Sequence, residues 1–188
     1  MVRNLIYAQA NLDPGSIDRL EVRRPVIENV NRKPGDVDWL CVAPTKPHLA
    51  VAVECKRVKV RAAGLDDDHE NKIRDLGRGV PQANGLADMG FHRSFLMIII
   101  LADGRARREL GQMFRGPTTQ TFTRIYVFPE RERLNDDVGI IFVEVVQPTG
   151  RSIGEMAYVG VCVERPARPR DQSVRLTERV REALRAPE

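Results

Sequence analysis

The sequence predicts an α/β fold built on a largely buried central sheet. Three observations carry this expectation. Residues 95–102 (FLMIIILA) are wholly apolar between polar flanks, as in a strand covered on both faces. Residues 49–53 (LAVAV) open a second segment of the same kind. Strand-like runs then alternate with helix-like segments, the order expected when helices lie on a sheet.

The elements follow in order. Residues 1–35 show no clear period, and 22–30 fit either a short strand or a short helix around Pro25. Residues 37–43 and 49–60 read as strands, joined by the turn 44–48 (PTKPH), where proline cannot serve a central ladder. Asp66, Asp67 and Asp68 suit the start of a helix over 69–76, since acidic groups favour that end. Gly77 and Gly79 interrupt it, and Pro81 fits the first turn of a second helix ending near Gly90. Residues 105–114 form a helix in this reading, and 124–128, 138–146 and 156–163 form strands. A proline- and arginine-rich connector (165–170) leads to an amphipathic helix over 172–184, with Val174, Val180 and Leu184 on its apolar side.

A chain of 188 residues fits one domain, 1–188, with a core about residues 20–128 and the strands and helix of 129–188 as an elaboration. Hydrophobic residues make up 42% and charged residues 30%, which excludes wholesale disorder. No apolar run is long enough to span a bilayer, and no secretory signal is evident at the N-terminus. Three cysteines (Cys41, Cys55, Cys162), odd in number and set in apolar runs, suit a reducing compartment, so the expected location is cytoplasmic. The net charge of +4 is compatible with a nucleic-acid partner. The histidines His48, His69 and His92 have no ligand spacing and read as loop or surface residues.

Chemistry concentrates in two segments. In the apolar strand 49–60, Glu54 and Lys56 share a face, because side chains alternate along a strand. Burying an unpaired carboxylate is costly, so Glu54 needs a cation, a lysine or a metal. The preceding strand is apolar except for Asp38. If Ala43 faces Leu49 across the turn, Asp38 lies opposite Glu54 and Asp36 opposite Lys56. Opposed Cβ atoms are about 4.5–5.5 Å apart. A divalent cation with a taste for oxygen ligands, such as Mg²⁺, relieves that repulsion. A one-residue slip would turn Asp38 to the other face.

Asp38, then a spacer, then Glu54-Cys55-Lys56 at the end of a hydrophobic strand resembles the signature of the PD-(D/E)xK nuclease superfamily, nearest in look to Holliday-junction-resolvase-like members. The resemblance implies a restriction-endonuclease-like fold, a mixed sheet flanked by helices. It implies Asp38 and Glu54 as metal ligands, the backbone carbonyl of Cys55 as a third, and Lys56 as the catalytic lysine. Asp36 competes with Asp38, which is preferred for its place inside the apolar strand. An additional acid is expected upstream, with Glu28 or Glu21 as candidates. Residues 80–91, followed by a hydrophobic strand, resemble the helix after Glu-x-Lys in many members, where a glutamine (here Gln82) points back to the site. The exonuclease subgroup has a tyrosine four residues later, where this chain has Leu86.

The function so implied is Mg²⁺-dependent hydrolysis of DNA phosphodiesters, with Mn²⁺ as a substitute, by an endonuclease of repair, recombination, restriction or mobile-element type. It leaves 5′-phosphate and 3′-hydroxyl ends. Arg57, Lys59 and Arg61 are the candidate phosphate contacts, on the face opposite Lys56. A homodimer or a partner subunit is expected from the resemblance. The alternative is a catalytically silent nucleic-acid-binding or scaffold subunit on the same fold. A small-molecule enzyme is disfavoured, because no glycine-rich phosphate loop and no Ser-His-Asp or Cys-His pattern is present.

Overall fold

The computed structural model describes residues 2–13, 15–23, 36–60, 70–103, 124–147 and 158–185. Its elements are α1 (Val2–Ala10), β1 (Ile17–Val22), β2 (Val37–Val42), a 3-10 turn (Pro47–Leu49), β3 (Val51–Val60), α2 (Glu70–Asp88), β4 (Arg93–Asp103), α3 (Phe128–Arg131), β5 (Gly139–Gln147), β6 (Tyr158–Arg165) and α4 (Val174–Arg185). Among the described residues the strands form one mixed sheet of six, in sequence order. β1, β2 and β3 are antiparallel neighbours, β3, β4 and β5 run parallel, and β6 returns antiparallel to β5. The α/β expectation therefore holds. No helix among the described residues is long and apolar enough to cross a membrane.

The sheet has helices on both faces. On one face, α2 sets Leu76, Val80 and Ala83 against Val58, Leu96, Ile98 and Phe142. Beside it, α4 sets Leu176, Val180 and Ala183 against Leu40, Val42, Ala52 and the Leu86 of α2. On the other face, α1 packs Ile6, Tyr7 and Ala10 over Cys41, Val51, Val53 and Phe95. The centre of β3 and β4 is thus covered twice, which is why both read as continuous apolar runs. β5 and α4 belong to this same sheet and core.

Local signals set the boundaries. α1 stops at Asn11, whose φ of 53° is left-handed, and the Leu12 N–H returns to the Tyr7 carbonyl at 2.9 Å. Gly90, with φ 87°, ends α2 in the same way. Ser173 caps α4, its hydroxyl accepting the Leu176 N–H at 3.2 Å. Arg170 ties the connector down by donating to Asp137 at 2.9 Å and to the Ala87 carbonyl at 3.1 Å.

The structure corrects the reading of several elements. The expected helices 69–76 and 81–90 are one helix, α2, with Pro81 inside it. Gly77 and Gly79 serve close packing. A Cβ on Gly77 would stand 3.3 Å from the Phe128 ring, and one on Gly79 would stand 2.6 Å from Lys56 Cγ. The expected strand 124–128 is helical, with 124–126 in helical conformation and α3 beginning at Phe128. Ile125 and Phe128, on either side of the bend at Val127, are buried in the same cluster. The strand β1 and the helix α1 were not anticipated. β1 carries Asp18, Arg19 and Glu21, which mask its apolar alternation and suit an edge strand. The expected helix 105–114 and the start of the helix at Asp66–Asp68 fall outside the described residues.

Candidate metal and active site

The site begins with register. Trp39 faces Val53, Leu40 faces Ala52 and Cys41 faces Val51. This is the register expected from the turn, and one further step brings Asp38 opposite Glu54. The β2–β3 ladder stops at Trp39–Val53 and does not include that step. On its other side β2 skips Asp38 as well: the ladder to β1 passes from Leu20–Trp39 to Val22–Val37. Glu21, which would oppose Asp38, has φ 52° and is exposed. Asp38 therefore sits where two ladders break.

Its side chain fills the gap in the ladder. Asp38 Oδ2 accepts the Cys55 backbone N–H at 2.7 Å. In a strand the N–H and C=O of one residue point to the same side. The Cys55 carbonyl therefore points toward β2 too, into the space beside Asp38.

Glu54 is 1% exposed, and its carboxylate is paired with the Lys56 ammonium. Burial pushes the Glu54 carboxyl up to about 7. The Lys56 hydrogen bond pulls against this, and the neighbouring Asp38 raises it further by its charge and by a hydrogen bond between the two carboxyl groups. Lys56 keeps 21% of its side chain exposed, so the pair is open to solvent on the lysine side. Its stem lies along Gly79. Glu54, Lys56 and Val58 lie on the face covered by α2. Cys55 lies on the other face, and burial raises its thiol to about 12, so it remains a protonated thiol at neutral pH.

The other expected residues fall as follows. Gln82 is half-buried, three positions after Gly79 and four before Leu86, on the stripe of α2 turned toward β2 and β3. Its amide makes no hydrogen bond to Asp38, Glu54 or Lys56. Asp36 is exposed and precedes β2. Arg57 and Lys59 are exposed on the face away from Glu54. Glu28 and Arg61 lie outside the described residues. Gly79 was missed as a site neighbour, because a glycine inside a helical run reads first as a break.

Among the described residues, no group of three or more His, Cys, Asp or Glu side chains is placed to hold a metal ion. The donors present are two carboxylates and a backbone carbonyl. They fit a hard divalent cation: all are oxygens, and the buried Glu54 and the half-buried Asp38 are neighbours with one lysine to offset them. No protein-family model, no curated protein and no solved structure matches the chain.

Proposed function

We propose that the protein is a Mg²⁺-dependent nuclease of restriction-endonuclease-like fold that hydrolyses DNA phosphodiester bonds. One observation carries the reading. Asp38 and the buried Glu54 stand side by side on one face, with Lys56 next to them, where the β2–β3 ladder ends. A structural ion pair needs one carboxylate and one cation, and the second acid raises the cost of that arrangement. Two further features support it: the helix that follows Glu54-Cys55-Lys56 leads directly to a buried parallel strand, and Gln82 lies on the side of that helix turned toward β2 and β3.

Asp38 and Glu54 would hold the metal, with the Cys55 carbonyl beside them. A bound Mg²⁺ would polarise the phosphate and acidify an attacking water. Lys56 offsets the Glu54 charge in the metal-free protein. Its ammonium can orient the water or stabilise negative charge on the phosphoryl oxygens as the new P–O bond forms and the 3′-oxygen leaves. Arg57 and Lys59, on the opposite face, can contact phosphates only of a substrate that wraps the end of β3.

The test is cleavage of supercoiled plasmid, linear duplex, single strand and four-way junction with Mg²⁺ or Mn²⁺. Metal-dependent cutting that Glu54→Ala and Lys56→Ala abolish, with both proteins folded, supports the proposal. Folded variants that cut as well as wild type refute the site. DNA retention without cleavage selects the silent binding subunit.

A further inference from the structure

We infer that Gly79 of α2 is a positioning residue for Lys56: the missing side chain lets the lysine stem run against the helix and deliver its ammonium to Glu54. The inference rests on the nuclease reading for its functional half and on geometry alone for its structural half.

A Cβ built on Gly79 would meet Lys56 Cγ at 2.6 Å, Lys56 Cε at 3.2 Å and Leu96 Cδ1 at 3.2 Å. Real Cβ atoms do not approach a neighbour as closely as the first of these. The crowded atom is the base of the lysine stem, so rotation at the far end of the chain gives no relief. Leu96, 1% exposed, closes the space on the β4 side. Lys56 cannot retreat sideways along the sheet, because β3 is held on that side by its parallel pairing to β4 through Lys56–Ile98. Any side chain at 79 must therefore lift α2 from the sheet or turn the lysine stem away, and either moves the ammonium from Glu54.

Glycine at this position runs against helix propensity, since alanine is the better helix former in a helix interior. Gly77, two residues earlier in the same helix, is an internal control. Among the described residues, a Cβ there would meet only the edge of the Phe128 ring, at 3.3 Å, and would not touch Lys56.

Gly79→Ala and Gly77→Ala are compared in the full-length chain, each in the wild-type and the Lys56→Ala background. Denaturant unfolding gives stability, and cleavage of the substrate preferred in the panel above gives kcat and KM. In wild type, Gly79→Ala is expected to lower kcat by about a hundredfold with KM unchanged, the scale of an ångström-level misplacement of a reacting group. Gly77→Ala is expected to leave kcat as it was. Lys56→Ala removes the crowded stem and leaves the 3.2 Å contact to Leu96 Cδ1, so there Gly79→Ala should destabilise much less than in wild type. A Gly79→Ala protein that folds only in the Lys56→Ala background supports the inference equally. A wild-type kcat for Gly79→Ala, or the same stability change in both backgrounds, overturns it. If wild type cuts no substrate, the nuclease reading fails, and the stability cycle decides by itself whether Gly79 sets the place of Lys56.

Discussion

Replacing Glu54 by glutamine should make the metal-free protein more stable at alkaline pH and leave it nearly unchanged at acid pH. The buried carboxyl is raised from 4.5 to about 7, chiefly by burial. Because the folded state holds this proton more tightly than the unfolded chain, the contribution of Glu54 to wild-type stability is greatest below about pH 4.5. It falls as pH rises to about 7 and then levels off. At about 1.36 kcal/mol per pK unit, that rise corresponds to a loss of about 3 kcal/mol. Glu54 is 1% exposed, so solvent screening removes little of it. Glutamine has nearly the same shape and no charge to bury, so Glu54→Gln should escape the loss. Part of the gain is offset where Lys56 loses its partner. The assay is urea unfolding of both proteins in EDTA at half-unit steps from pH 4.5 to 8.5. The difference should grow with pH in favour of the variant. Saturating Mg²⁺ should then stabilise wild type, by about 2.7 kcal/mol at a hundred times its Kd, and stabilise the variant much less. A difference that stays flat with pH would falsify the account of Glu54 as a buried, proton-holding acid.

Three further outcomes are expected. Lys56→Met should cost about 1–3 kcal/mol at pH 8, where Glu54 must stay charged without its partner or take up a proton against the solvent pH, and less at pH 5, where it is already protonated; unfolding at the two pH values checks this. Asp38→Asn can still accept the Cys55 N–H, so circular dichroism and melting should stay near wild type, while metal-dependent cleavage disappears; retained cleavage removes Asp38 from the site. Arg170→Ala should lower the melting temperature at neutral pH. The Arg170 guanidinium holds the Asp137 carboxyl below the usual range, so its contribution is present above the unfolded pKa and lost as pH falls through the folded one. The gap between wild type and Arg170→Ala should therefore narrow in acid.

Some of this protein is written in local sequence. The central strands were legible because burial on both faces leaves uninterrupted apolar runs, as in 95–101 and 49–53. The β2–β3 register was legible because a short proline-rich turn leaves few ways to pair two strands whose apolar faces must both be buried. Asp38, Glu54 and Lys56 stood out as charges inside such strands. The first two elements were not legible. α1 is short, and β1 mixes three charges into six residues at a sheet edge, so neither carries a clean period.

Other features exist only in three dimensions. The break of both ladders at Asp38 depends on the left-handed backbone of Glu21 and on the Cys55 N–H being taken by a side chain, neither of which leaves a pattern in composition. The continuity of α2 through Gly77, Gly79 and Pro81 overrides their local preference, because burying Leu76, Val80 and Ala83 on the sheet outweighs the propensity lost at those positions. The sequence alone determined which strands are buried and which charges lie within them. Only the tertiary structure decided how closely Asp38, Glu54, Lys56 and Gly79 approach, because those distances are set by contacts between segments far apart in the chain.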